Sequence, residues 1–158
     1  MTLYADLSKA PDVNLILIKL PNSLEEKVFK PETRILIVDD MATVRRIVGK
    51  ILKELGFINI QVAADGLEAW NILNSTTIEL VISDWNMPGL SGFELLKKCR
   101  ADARYATVPF VLLTAEAETE QVSEALKHGV SNYIIKPFSA DQIKTKLEQT
   151  YKKMAGNK

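Results

Sequence analysis

The chain has 158 residues, of which 47% are hydrophobic, and it carries 20 basic and 20 acidic residues, so its formal net charge is zero. This length and composition fit one folded domain with a short appendage, and the charge balance argues against a general nucleic-acid binder. One cysteine excludes an internal disulfide and a multi-cysteine zinc site, and one histidine excludes a site of paired histidines.

From residue 34 onward, short apolar runs alternate with amphipathic segments. We predict five strands, at residues 35–38, 58–62, 78–82, 108–113 and 133–135. Four of these runs hold at least three consecutive apolar residues, as in strands covered on both faces. The second run alternates between apolar and polar residues, which is typical of an edge strand with one wetter face.

A helix is predicted after each strand. Apolar stripes indicate helices at residues 44–55, 67–73 and 122–126, and capping boxes open two more at Ser91 and Ser139. Strict alternation of strands and helices predicts a parallel sheet with helices on both faces. With an edge-like second strand, the pattern favours a flavodoxin-like, doubly wound, five-stranded α/β fold with strand order 2-1-3-4-5 and five helices.

Residues 1–33 stand outside this alternation and contain three prolines and one apolar run. They are either a loosely packed extension or an arm that binds a partner or a second copy, and both interpretations stay open. The predicted organisation is therefore an extension at 1–33, a domain at 34–154 and a tail at 155–158. The sequence shows neither a membrane-spanning run nor a secretory signal, so we expect a cytoplasmic monomer.

Polar residues stand at the ends of the predicted strands: Asp39 and Asp40 after strand 1, Asp84 after strand 3, Thr114 after strand 4 and Lys136 after strand 5. Ligands of open α/β sheets bind at these carboxyl ends, so the side chains should share one crevice. Two carboxylates 4 Å apart repel by about 4 kcal/mol at an effective dielectric constant near 20, and Mg²⁺ is the usual cation that removes this cost. A carboxylate beside Mg²⁺ can attack phosphorus and form an aspartyl phosphate. Lys136 would then pair with the phosphoryl oxygens and Thr114 would donate a hydrogen bond.

Four motifs that hold these residues resemble those of response-regulator receiver domains. They are Ile35-Leu36-Ile37-Val38-Asp39-Asp40, Asp84-Trp85-Asn86-Met87-Pro88-Gly89, Leu113-Thr114-Ala115-Glu116 and Ile135-Lys136-Pro137-Phe138. The resemblance spans about residues 33–154, and the segment from Asp84 to Lys97 is most similar to the CheY-type regulators of chemotaxis.

The resemblance implies that Asp84 accepts a phosphoryl group from a phosphohistidine of a sensor histidine kinase. It also implies that Asp40, Asp84 and the backbone carbonyl of Asn86 bind Mg²⁺ directly, while Asp39 acts mostly through water. Lys136 would bridge to the phosphate, and its bond to Pro137 would be cis.

The resemblance further implies a conformational switch. Thr114 would move toward the phosphate and Tyr133 would turn inward behind it, while Asn86 and Glu116 would set the rate of phosphate loss. The surface of helix 4, strand 5 and helix 5 would then change for a partner. Candidate contacts on it are Val122, Tyr133, Ile135 and Lys146, although Val122 and Ile135 could equally be core residues and Lys146 a solvated charge.

Other reactive residue types have ordinary interpretations. His128 precedes Gly129 and is expected to cap a helix C-terminus. Cys99 stands among cations that could lower the pKa of its thiol, as in a redox sensor, but we favour the interpretation that it is a plain helix residue. We interpret Arg45 as part of a solvated helix flank, with the alternative that it borders the crevice, and Trp70 as a core residue.

The leading functional hypothesis is a stand-alone phosphorylation switch that signals through protein contacts in chemotaxis, with a flagellar motor switch protein or a phosphatase as partner. It predicts no enzymatic activity beyond self-phosphorylation from a phosphodonor and self-dephosphorylation, and no nucleic-acid or membrane partner. The alternative is a phosphorelay intermediate that passes the group to another histidine. A phosphatase of the haloacid dehalogenase type is disfavoured, because its nucleophile lies in an Asp-x-Asp after strand 1, whereas Asp39 and Asp40 are adjacent.

Overall fold

The computed structural model describes residues 28–115 and 120–156, which form a single β-sheet flanked by helices. The strands are β1 (Arg34–Val38), β2 (Asn59–Ala63), β3 (Leu80–Asp84), β4 (Phe110–Thr114) and β5 (Asn132–Ile135). The helices are α1 (Ala42–Glu54), α2 (Gly66–Ser75), α3 (Gly92–Ala101), α4 (Glu120–Lys127) and α5 (Ala140–Gly156).

The five strands are parallel and lie in the order β2-β1-β3-β4-β5, which confirms the predicted fold class and topology. β3 and β4 are buried along their whole length, whereas β2 is largely exposed, as an edge strand should be. The strands predicted at 78–82 and 108–113 begin two residues before β3 and β4 do. The reason is that Ile78 and Val108 are buried in the connections that precede these strands.

Alternate side chains of each central strand enter two separate hydrophobic clusters. On β1, Leu36 and Val38 join the cluster that packs under α2, α3 and α4, while Ile35 and Ile37 join the cluster under α1 and α5. Helices therefore cover both faces of the sheet, which explains the runs of consecutive apolar residues in the central strands.

Side chains cap the starts of three helices, two of them as predicted. Asp65 accepts a hydrogen bond from the backbone N–H of Glu68 at α2. Ser91 forms a reciprocal capping box with Glu94 at α3, and Ser139 forms the same pair of bonds with Gln142 at α5 (2.8 and 3.1 Å). The capping boxes thus confirm the predicted starts of α3 and α5.

Residues 28–33 belong to the predicted extension, yet they pack against the domain. Phe29 is 7% exposed and meets the ring of Tyr151 edge-on, with centroids 5.1 Å apart. The carbonyl of Pro31 accepts a hydrogen bond from the backbone N–H of Ile58. α5 continues to Gly156, two residues past the predicted boundary at 154. Residues 1–27, on which the two interpretations of the extension depend, lie outside the described ranges, and so does Glu116.

Candidate metal and phosphoacceptor site

Three carboxylates meet at the carboxyl end of the sheet. Asp39 and Asp40 directly follow β1, and Asp84 is the last residue of β3, the neighbouring strand. Each of the three offers a carboxylate oxygen, and these oxygens lie within 4.8 Å of one another. Asp39 is fully buried, Asp84 is 8% exposed and Asp40 is exposed. The structure thus brings the predicted acidic residues together.

Lys136 directly follows β5, and its side chain also reaches this cluster. Its Nζ lies 2.9 Å from Oδ1 of Asp84 and 3.4 Å from Oδ2 of Asp39. Its backbone N–H donates to the carbonyl of Thr114, the buried last residue of β4 (2.7 Å). The bond between Lys136 and Pro137 is cis, which confirms that expectation. Side chains at or just after the ends of β1, β3 and β5 therefore meet, and Thr114 ends β4, the strand between β3 and β5.

The pKa values of Asp39 and Lys136 are both raised, which disfavours the ionised carboxylate and favours the ionised ammonium. Burial raises the pKa of Asp39, and the negative charge of Asp84 adds to the rise, against the backbone hydrogen bond from Met41 and the charge of Lys136. Burial alone would lower the pKa of Lys136, but its hydrogen bond to Asp84 and the charges of both carboxylates outweigh that effect, so the pKa is raised. Lys136 thus remains an ammonium at neutral pH and faces more carboxylate charge than it can offset.

The substitution Asp39→Asn removes one negative charge from this cluster. The pKa of Asp39 in the folded protein lies above its ordinary value of 3.8, so folding favours the protonated carboxyl. This contribution to the free energy of unfolding is complete below pH 3.8 and is lost as the pH rises through the folded-state pKa. Ionised Asp39 therefore destabilises the metal-free fold at neutral pH. We expect Asp39→Asn to raise the free energy of unfolding at pH 7 by about 1 to 2 kcal/mol, because the neutral side chain avoids the cost of burying a charge and also the repulsion from Asp84.

Urea unfolding of both proteins in the presence of a chelator, at pH 7 and again below pH 3.8, measures this effect. The difference between the two proteins should shrink at the lower pH, where wild-type Asp39 is protonated in both the folded and the unfolded state. Equal or lower stability of Asp39→Asn at pH 7 would contradict the electrostatic account.

Several hydrogen bonds hold Asp39 in place. Its Oδ1 accepts from the backbone N–H of Met41 (2.9 Å), and its backbone carbonyl accepts from Nη1 of Arg45 (2.7 Å). The interpretation of Arg45 as part of a solvated flank is therefore wrong, and the alternative that it borders the crevice is confirmed. Arg46, in contrast, is exposed.

Gly92 positions Asp84 from behind, a role that the sequence analysis missed. A Cβ at this first residue of α3 would overlap the carbonyl oxygen of Asp84 and come within 3.0 Å of Ser83 Oγ. The backbone N–H of Gly92 donates to the carbonyl of Trp85 (2.9 Å), so the start of α3 is tied to the end of β3. Gly92 directly follows the capping residue Ser91, at a position that does not need the positive φ that glycine allows. A glycine there could have indicated that the main chain of another segment lies close to it.

The candidate switch and partner residues lie along β5 and its neighbouring helices. Tyr133 is half-buried, and Nζ of Lys146 lies 4.7 Å from the centre of its ring. Ile135 is 38% exposed, whereas Val122 is only 5% exposed and belongs to the core alternative. Asn86 lies in the exposed loop two residues after Asp84.

The surroundings of Cys99 and His128 indicate structural and not reactive roles. Burial raises the pKa of Cys99 to about 12 and outweighs the neighbouring charge of Arg100, so the alternative of a cation-activated thiol is wrong. The Nδ1–H of His128 donates to the carbonyl of Glu124 in the last turn of α4 (2.8 Å), which confirms its predicted role at a helix C-terminus. Among the described residues, no helix is long and apolar enough to cross a membrane.

Comparisons with known proteins agree with this geometry. The family described as the response regulator receiver domain matches residues 35–148. The chain belongs to this family. It is 45% identical over 129 residues to the chemotaxis protein CheY-3 of Vibrio cholerae, covering 82% of this chain and 99% of that protein. It is 43% identical over 123 residues to the chemotaxis protein CheY of Pseudomonas aeruginosa, covering 78% and 99%.

Solved receiver structures share the fold. The chemotaxis response regulator CheY4 of V. cholerae superposes with a TM-score of 0.71 at 31% identity, over 75% of this chain and 98% of that one. The receiver domain of sensor histidine kinase PA1611 from P. aeruginosa, solved with a magnesium ion coordinated in its active-site cleft, gives a TM-score of 0.69 at 25% identity, over 77% and 98%. The chain is therefore a CheY-like receiver domain of two-component signalling, a family of regulators.

Proposed function

We propose that this receiver domain is a phosphorylation switch whose acceptor is Asp84. The observation that carries the proposal is the ion pair between Asp84 Oδ1 and Lys136 Nζ (2.9 Å) inside the cluster of three carboxylates. Asp39 is fully buried, while Asp84 keeps 11% of its side chain exposed at the crevice, where a phosphodonor can approach. A carboxylate held beside an ammonium, with a cation site next to it, suits nucleophilic attack on phosphorus.

In the proposed reaction a carboxylate oxygen of Asp84 attacks the phosphorus of a phosphohistidine on a sensor histidine kinase. A phosphorus–oxygen bond forms, the phosphorus–nitrogen bond breaks, and the released imidazole nitrogen takes a proton from water. Lys136 is freed from its pairing with the carboxylate and pairs with the phosphoryl oxygens instead, with Thr114 as a further hydrogen-bond donor. Hydrolysis of the acyl phosphate resets the switch, at a rate that we assign to Asn86 and Glu116. No other enzymatic activity is proposed.

Mg²⁺ is the proposed cofactor. The three carboxylates carry more negative charge than the single ammonium of Lys136 offsets, and a divalent cation with a preference for carboxylate oxygens can neutralise the rest. Asp40, Asp84 and the backbone carbonyl of Asn86 would hold it directly. Both oxygens of Asp39 already accept protein hydrogen bonds, from Met41 and Lys136, which supports a role through water for this residue. When bound, the metal ion neutralises charge that develops on the transferred phosphoryl group.

Trp85 provides the test of this metal site, since it follows Asp84 and is 6% exposed. In a Trp70→Phe background, which leaves one tryptophan, Mg²⁺ is expected to quench Trp85 fluorescence in a saturable way. Asp40→Asn should weaken the binding, and Asp65→Asn, which changes a helix cap outside the crevice, should not. An unchanged Trp85 spectrum at saturating Mg²⁺ would contradict the assignment.

We further propose that the output is chemotaxis, through contact with a flagellar motor switch protein in the cytoplasm. The identities of 45% and 43% to proteins named for chemotaxis support this context. The proposed contact surface comprises Tyr133, Ile135 and Lys146, beside the groove that α4 forms with Tyr133. Val122, buried beneath this groove, would act by supporting its shape.

A phosphorelay intermediate is the second candidate, because the chain also resembles the receiver domain of a sensor histidine kinase. Two measurements separate the candidates. Radiolabel should move from a phosphorylated chemotaxis kinase to the chain, and the phosphorylated chain should bind a motor-switch peptide more tightly than the unphosphorylated chain does. Label that passes on to a histidine phosphotransfer protein, without tighter peptide binding, would favour the relay.

A further inference from the structure

A row of three aromatic rings leads from the residue after Asp84 to the end of α4. The rings of Trp85 and Phe93 are stacked, with centroids 5.4 Å apart and planes 14° apart. The ring of His128 meets Phe93 edge-on, with centroids 5.1 Å apart and planes 88° apart. Both arrangements are favourable geometries for aromatic pairs.

The first ring of the row is fixed to the site. The backbone N–H of Trp85 donates to the carbonyl of Leu113 on β4, and its carbonyl accepts from Gly92, the residue before Phe93 (3.0 and 2.9 Å). Trp85 and Phe93 are therefore joined twice, through the main chain and through their rings. These two contacts are the physical link between the loop after Asp84 and the start of α3.

The last ring is fixed to the helix. The backbone N–H of His128 donates to the carbonyls of Glu124 and Ala125, and its Nδ1–H donates to the carbonyl of Glu124 as well. Nε of Arg100 on α3 donates to the carbonyl of Gly129, the next residue (2.9 Å). The His128 ring is thus bonded to the last turn of α4 through both its main chain and its side chain.

We infer that the row Trp85–Phe93–His128 couples the phosphoacceptor site to the C-terminal end of α4. Binding at Asp84 shifts Trp85 and the stacked Phe93, and the edge contact carries the shift to His128 and the turn that holds it. The inference rests on the proposed function, since it requires a ligand at Asp84. It deepens that function by naming the contact through which the α4 side of the proposed partner surface responds.

The single histidine of the chain makes the test direct, because it gives one imidazole signal in NMR. The probes are Mg²⁺ alone and then Mg²⁺ with beryllium fluoride, which mimics an acyl phosphate on a carboxylate. Spectra of each variant with and without the probe are taken in the same buffer at one fixed pH. This condition matters because Lys97 lies over the Phe93 ring (4.9 Å) and the Glu124 carboxylate lies 3.6 Å from Nδ1. Trp85 fluorescence in the Trp70→Phe background reports ligand binding independently.

The coupling predicts that the His128 signal shifts on ligand binding, that Phe93→Leu loses most of this shift, and that Phe93→Tyr keeps it. Phe29→Leu, the same change in an aromatic pair on the other face of the sheet, should also keep it. A through-space effect of charge alone would survive in Phe93→Leu, so an equal shift in that variant overturns the inference. An unmoved His128 signal while Trp85 reports binding overturns the inference and leaves the proposed function standing. No response of Trp85 to either probe overturns both.

Discussion

Gly92→Ala is expected to destabilise the fold by about 2 to 3 kcal/mol and to slow phosphorylation of Asp84 by about 100-fold. The new Cβ would lie 3.0 Å from the carbonyl carbon of Asp84 and closer still to its oxygen. These are main-chain atoms at the end of a buried strand, so either α3 or Asp84 has to move. Urea unfolding measures the first effect, and the rate at which acetyl phosphate adds a phosphoryl group measures the second.

Gly49→Ala is the matched control for this substitution. Its Cβ would lie 3.9 Å from Ile37 Cδ1, an ordinary contact, within the interior of α1. Alanine favours a helix over glycine by about 1 kcal/mol, so this variant should be slightly more stable than wild type and should be phosphorylated at the wild-type rate. Wild-type stability and rate in Gly92→Ala would show that α3 does not hold Asp84 in place.

Lys136→Met is expected to lower the free energy of unfolding by roughly 2 kcal/mol without Mg²⁺ and to slow phosphorylation by at least about 100-fold. The substitution removes the ammonium that lies 2.9 Å from Asp84 and 3.4 Å from Asp39. The stability effect is set below that of a fully buried ion pair because 26% of the Lys136 side chain is exposed and solvent screens the interaction.

Millimolar Mg²⁺ should restore part of the lost stability in Lys136→Met, because a divalent cation replaces the missing positive charge. It should not restore the phosphorylation rate, since the contact with the phosphoryl oxygens is gone. Lys152→Met, which removes an exposed lysine on α5, is the control and should change neither quantity. A Lys136→Met protein that is phosphorylated as fast as wild type would contradict the role assigned to this ammonium.

The fold was predictable because the physical constraints on a doubly wound sheet leave a direct mark on the sequence. β3 and β4 are buried on both faces and are therefore apolar on consecutive residues. β2 has one neighbour and one open edge, and its alternating residues indicated its place in the sheet. The site was predictable for a related reason. Parallel strands end at one edge, so Asp39, Asp84 and Lys136 had to meet if the strands were right.

The contacts that the sequence did not indicate depend on three-dimensional distances without a local pattern. Arg45 reaches a main-chain carbonyl, and the spacing of charges along α1 does not distinguish it from the exposed Arg46. Phe29 lies in the extension that stands outside the alternation of strands and helices, yet it enters the core beside α5. Cys99 stands between charged residues in sequence, but the helix turns it inward, and burial determines its pKa.

Asp84 is expected to accept a phosphoryl group in a reaction that requires Mg²⁺. The most direct measurement is the intact mass of wild type and of Asp84→Asn after incubation with acetyl phosphate, with and without Mg²⁺. We expect one phosphoryl adduct on wild type with Mg²⁺ and none in the other three samples. An adduct of equal yield on Asp84→Asn, or no adduct on a wild-type protein that binds Mg²⁺, would contradict this expectation.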